Sequence, residues 1–230
     1  MARGRHADLY GPEMKPHGGG LTSGQVVGLV ASGGLNYSIV TLGDLAGWAW
    51  ENQGGATLTQ EARGVLFTIP GSASDNIRQL YLAPPSTDYQ LTVRYNMETF
   101  PQSQFKFGGI GHKDALGAAG KLDLWNFDGR GDVQLINAQY SDQTTFASQT
   151  AGTTNLFAHD IWLRMKVQGG SIYYYYSRGG EMWTLQRSYA LVAGYLGAAG
   201  YNYLLIEGNE SCASSEGIGI EILSYDLVTL

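Results

Sequence analysis

An all-β fold, two antiparallel sheets packed face to face, is expected from three features of this 230-residue chain. Glycine (33 residues) and tyrosine (15) are abundant, while charged residues make up only 15%, against a usual share near ~25%. Glycine supplies the positive φ of tight hairpins, and aromatic side chains fit pleated, half-buried surfaces. Short runs of period two recur between turn signals, and no stretch carries the 3.6-residue period of a three-turn amphipathic helix.

The elements follow in order. Residues 1–40 stand apart, with Pro12, Pro16, Gly18-Gly19-Gly20 and Gly33-Gly34 and no sustained period. Within them Leu21, Val26, Val27, Leu29 and Val30 form a short apolar piece that cannot bury itself. An anchoring or oligomerising arm is expected there, with the sandwich spanning 41–230.

From Leu42 short strands succeed one another: 47–52, 56–59, 64–70, 79–82, 89–96, 105–111, 121–125 and 132–136. In 89–96, Leu91, Val93 and Tyr95 share one face. The clearest hairpin comes later. Ile161, Leu163, Met165 and Val167 alternate with Trp162, Arg164 and Lys166, Gln168-Gly169-Gly170 turns, and 171–177 returns. Strands over 182–185, 203–206 and 219–226 complete the set. So many strands at regular spacing imply two stacked sheets.

The formal net charge of −6 argues against nucleic acid as a main partner, because phosphate binding needs a basic stripe. A lone cysteine, Cys212, leaves neither an intrachain disulfide nor a cysteine-based metal site. The first residues lack the apolar core of a signal peptide, and no stretch reaches 18 consecutive apolar residues, so synthesis in a cytoplasm without membrane insertion is expected.

Over Leu45 to Leu227 the chain resembles the concanavalin A-like lectin/glucanase superfamily. The resemblance rests on an opening strand with Trp48 and Trp50 and on the signature Ile161-Trp162-Leu163-Arg164, Gly169, then Tyr175-Tyr176-Ser177-Arg178-Gly179-Gly180-Glu181-Met182-Trp183. Gly179 departs from the family's usual Asp. The resemblance implies a jelly-roll sandwich with an extended N-terminal arm, but the fold hosts many functions.

Glucanases of that superfamily place carboxylates in a Glu-x-Asp-x-x-Glu pattern, with nucleophile and acid about 5–5.5 Å apart. The chain has no such pattern. Its nearest candidate, Glu207-Gly208-Asn209-Glu210, has the wrong spacing and reads as a loop. None of His6, His17, His112 and His159 sits in a nucleophile elbow, Gly109-Ile110-Gly111 lacks the rest of a dinucleotide motif, and Arg130-Gly131-Asp132 is a string expected by chance. A non-enzyme is expected.

Sugar binding needs aromatic platforms beside amides, carboxylates or arginines. Trp162, Arg164 and Lys166 point away from the apolar face of their strand and are expected to line the open concave sheet. Trp125, Asn126 and Asp128 form a second candidate cluster. Aromatic residues in sandwiches also fill cores and cross-strand pairs, so the bland assignment competes at each. The superfamily admits calcium by analogy, but Asp123, Asp128, Asp132 and Asp142 form no calcium loop, and no cofactor is expected.

The whole resembles phage virion accessory proteins: capsid decoration proteins, head fibres or tail receptor-binding components. That implies a structural virion protein whose arm grips capsid or tail proteins while the sandwich meets host glycans. A homo-oligomer, by analogy a trimer, is expected. A free carbohydrate-binding module or lectin is the alternative, and a diverged glycosidase the third.

Overall fold

The computed structural model describes residues 38–97, 106–129, 133–151, 160–211 and 217–230. The proposed anchoring residues Leu21, Val26, Val27, Leu29 and Val30 lie outside them, as do Cys212, His159 and the 130–132 string.

Fourteen strands are described: β1 Ala49–Glu51, β2 Thr57–Gln60, β3 Val65–Ile69, β4 Arg78–Leu82, β5 Tyr89–Met97, β6 Lys106–Lys113 and β7 Leu122–Gly129, then β8 Val133–Tyr140, β9 Phe146–Ala151, β10 Asp160–Gln168, β11 Ser171–Ser177, β12 Thr184–Ala190, β13 Tyr203–Glu210 and β14 Ile218–Thr229. They form two seven-stranded sheets, ordered β1-β4-β13-β6-β7-β8-β9 and β12-β11-β10-β5-β14-β3-β2. Every pairing is antiparallel. Among the described residues the only helix is a single 3-10 turn, Leu191–Ala193, and no helix is long and apolar enough to cross a membrane.

The expected hairpin is present. Trp162 pairs with Ser177 and Gln168 with Ser171, and the turn runs through Gly169 (φ 57°) and Gly170 (φ 74°), a geometry that glycine adopts without steric cost. Period two then sorts the side chains. Ile161, Leu163 and Met165 meet Leu91, Val93 and Tyr95 in the core, each nearly or fully inaccessible. Tyr174 is the core tyrosine of β11, while Tyr173 and Tyr175 stack on each other outside, centroids 6.4 Å apart.

The two sheets are also joined by polar contacts. The Tyr95 hydroxyl donates to the Gly109 carbonyl at 2.8 Å, and Trp125 Nε1 donates to the Tyr175 carbonyl at 3.1 Å. Asp123 on β7 accepts from Asn137 Nδ2 (2.8 Å) and from the Tyr189 hydroxyl of β12. Arg187 donates to Asn137 Oδ1 and to Thr150 Oγ1. Satisfying buried polar groups this way avoids a cost of about 1–3 kcal/mol for each one left unpaired.

Two sequence expectations need correction. Residues 207–210 are no loop: Glu207 to Glu210 close the central strand β13, and all four are buried. The sequence reading also passed over β9, an edge strand paired only with β8.

Candidate functional site

The first sheet has a second buried layer. Alternation along β7 sends Asp123, Trp125 and Phe127 towards the core and Leu122, Leu124, Asn126 and Asp128 the other way. Outward side chains of a sheet normally meet water, yet these four are buried. Leu122 and Leu124 belong to an apolar cluster with Ile77, Phe107, Ile136, Ala138, Tyr140 and Leu205.

Residues 71–77, joining β3 to β4, form a strap over this face. Asn76 N–H donates to Asn209 Oδ1 at 2.8 Å, Asn209 Nδ2 donates to Asp75 Oδ1 at 2.8 Å, and Ser72 N–H donates to the Glu210 carbonyl at 3.2 Å. Ile77 is fully buried in the cluster, and its N–H reaches the Gln143 carbonyl at 3.0 Å in the β8–β9 turn. Gln143 N–H in turn bonds the Ala118 carbonyl in the β6–β7 turn. Strand β4 is thus tied to the β8–β9 turn across the intervening β13, β6 and β7, so strap and turns together roof the sheet.

Under the roof runs one cross-strand row. The register places Glu51, Gln79, Glu207, Gly109, Asn126 and Ile136 side by side on β1, β4, β13, β6, β7 and β8. Glu51 is occupied: Oε1 accepts from Lys113 Nζ (2.6 Å), from Gly117 N–H (2.6 Å) and from Gln143 Nε2 (3.1 Å). The middle of the row is different. Glu207 is 0% exposed with neither carboxyl oxygen hydrogen-bonded, and Gln79 Oε1, Asn126 Oδ1 and Asn126 Nδ2 are equally unpartnered. Burial pushes the Glu207 carboxyl well above its ordinary range and so favours its neutral form. Gly109 is required between them, because a Cβ there would lie 2.2 Å from the Trp125 carbonyl oxygen and 2.8 Å from Asn126 Cα.

The row ends at Ile136 in the wall of a cavity of about 510 Å³, lined by Asp75, Phe107, Ile136, Ala138, Tyr140, Phe146 and Gln149. Three aromatic rings thus adjoin a row of unpartnered amide and carboxyl atoms. That combination suits a ligand with apolar faces and hydroxyl edges.

The sequence-predicted residues fall in three places. Asn126 and Asp128 share the roofed face, but Trp125 points into the core against Tyr174, centroids 5.6 Å apart. Trp162, Arg164 and Lys166 lie on the outer face of the second sheet, where Arg94 sits 5.4 Å over Trp162 and Arg164 sits 3.6 Å over Trp183. Gln79, Phe107, Tyr140, Phe146 and the strap were not foreseen. No local motif marks them, since they meet only through sheet register.

Among the described residues no group of three or more His, Cys, Asp or Glu side chains is placed to hold a metal. His112 faces the core with Nε2 2.5 Å from the Tyr89 hydroxyl, and burial lowers it to about 3, so it is neutral. Asp123 is raised, chiefly by burial, with the Tyr189 and Asn137 hydrogen bonds opposing.

No family model matches this chain, and no curated protein matches it. Solved structures do. The GH43 BlXynB protein from Bacillus licheniformis aligns with TM-score 0.60 at 10% identity, over 80% of this chain and 37% of that one. A legume lectin-like domain from Entamoeba histolytica aligns at 0.57 and 6% identity, over 83% of this chain and 93% of that one. A functionally unknown protein from Saccharomyces cerevisiae aligns at 0.55 and 17% identity, over 81% and 98%. What this chain shares with them is the concanavalin A-like jelly-roll fold.

Proposed function

We propose that the chain is a non-enzymatic carbohydrate-binding sandwich, displayed on a phage particle by its leading segment. The observation that carries the binding role is the buried row of Gln79, Glu207 and Asn126, in which Gln79 Oε1, both Glu207 carboxyl oxygens and both Asn126 amide atoms lack partners, close to an aromatic-lined cavity. Leaving several polar atoms unsatisfied costs about 1–3 kcal/mol each, a cost that a ligand's hydroxyls would offset. The fold shared with a GH43 protein and a legume lectin-like domain supports this reading.

The absence of catalysis is favoured by the composition of the row. Glu207 has the amides Gln79 and Asn126 as row neighbours, and amides bind hydroxyls without acting as base or nucleophile. The row's other carboxylate, Glu51, is engaged by Lys113, Gly117 and Gln143. The particle assignment rests on the sequence: a glycine-rich arm with an apolar patch at Leu21 to Val30, ahead of a projecting sandwich.

A glycan array tests the binding role. Phe146, 45% exposed, can be truncated with little risk to the fold, and Phe146→Ala is expected to weaken binding roughly fivefold or more. Trp162→Ala and Arg164→Ala on the other sheet are expected to leave it unchanged. Loss confined to those two would move the site to the second sheet. Deleting residues 1–36, which spares the core residue Val40, tests the particle role: copurification with particles is expected to vanish, and undiminished copurification refutes it.

One observation favours a second reading. Burial raises the Glu207 carboxyl, the direction that favours the protonated state a general acid requires. Glycan hydrolysis by the parent, lost in Glu207→Gln, would make the chain a diverged glycosidase.

A further inference from the structure

We infer that the roofed face takes an uncharged glycan and excludes chains bearing uronate or sialate groups. This rests on the reading of that face as the glycan site and adds the ligand's charge class.

The argument is one of charge. Among the described residues lining the cavity Asp75 is the only charged one, and it is held in place there by Asn209. Asp128 is on the same face, while Glu207 in the row beneath favours its neutral form and offers no positive charge. The cations nearby are committed. Lys113 has a fully buried side chain whose ammonium contacts Glu51 Oε1 at 2.6 Å and the Gly117 carbonyl at 2.9 Å. Lys106, at the start of β6, is held by Glu210 at 2.9 Å.

A ligand carboxylate entering this space would lose its water beside acidic side chains, with no described cation left to pair it. Neutral sugar hydroxyls meet no such penalty. Phe107, Tyr140 and Phe146 in the cavity wall cover the apolar ring faces, and Asn126, paired in register with the lining residue Ile136, stands next in the row. The discrimination is a repulsive one: the wrong ligand is rejected by charge.

The test is an array of neutral oligosaccharides printed beside uronate- and sialate-bearing ones of matched length, probed with the full chain and with Asp75→Asn. The parent should bind neutral members at least about tenfold more tightly than acidic ones. Asp75→Asn should narrow that gap several-fold, read as the ratio of neutral to acidic binding within the variant itself, and raised salt should narrow it in the parent, because screening weakens charge repulsion. Equal or tighter binding of acidic members overturns the inference and leaves the glycan site standing. A gap untouched by both Asp75→Asn and salt also overturns it, since exclusion would then be steric. Binding to nothing on the array removes the glycan site itself, and this inference with it.

Discussion

On the outer face of the second sheet the side chains answer one another. Arg94 pairs with Asp160 at 2.5 Å, both about 37% exposed, and lies over Trp162. Arg164 donates to Thr92 Oγ1 at 3.1 Å and lies over Trp183. Arg63 reaches Glu221 from solvent. On the outer face of the first sheet the order is reversed: the residues are buried under a strap, and Gln79 Oε1, both Glu207 oxygens and both Asn126 amide atoms in the middle of the row have no partner. A face that satisfies itself in water needs no ligand, whereas one that holds polar atoms dry and unpaired is stable at a cost that binding would offset. The residues most conspicuous in sequence lie on the first kind of face, and the candidate site lies on the second.

The largest expected difference between the faces concerns packing. Ile77→Ala, under the strap, should cost about 2–5 kcal/mol in denaturant unfolding, as in a true core. Leu185→Ala, 49% exposed on β12, should stay within about 0.5 kcal/mol. Equal costs would erase the contrast.

The next effect depends on pH. The folded state raises the Glu207 carboxyl above its ordinary value of 4.5. The resulting penalty is absent below that value and grows as pH rises towards the folded-state value. Glu207→Gln should therefore melt above the parent at pH 7, by on the order of a few degrees, and the advantage should close as pH falls through about 4.5. His112 acts oppositely: lowered from 6.5 to about 3, it removes stability as pH falls through that window. Parent and variant share it, so it cancels in the comparison. A constant advantage across pH would show that Glu207 is not buried as a neutral acid.

The smallest effect is on the self-satisfied face. Arg94→Ala removes a half-exposed ion pair and should cost under about 1 kcal/mol, less still in high salt.

Much of this fold was legible because alternation and turn chemistry agreed. The β10–β11 hairpin shows both: four apolar residues at period two, then Gly169-Gly170. Strand β9 was not legible. Phe-Ala-Ser-Gln-Thr-Ala has one large apolar residue and no alternation, and it is held by a single neighbour. Glu207-Gly208-Asn209-Glu210 misled because Gly and Asn signal turns locally, while burial between β4 and β6 decided the outcome. At the site, Asn126 and Asp128 stood out, but grouping them with Trp125 ignored the pleat that turns alternate residues to opposite faces. Gln79, Phe107 and Phe146 carry no common motif, and a strap without periodicity completes their surroundings.

The central claim is that the roofed face of the first sheet is where ligand binds. The direct measurement is an NMR titration of the full chain with an oligosaccharide selected on the array, following assigned side-chain and backbone resonances. Perturbations concentrated at Asn126, Phe107, Tyr140 and the 71–77 strap are predicted. Perturbations confined to Trp162, Tyr173, Tyr175 and Trp183 would contradict the account.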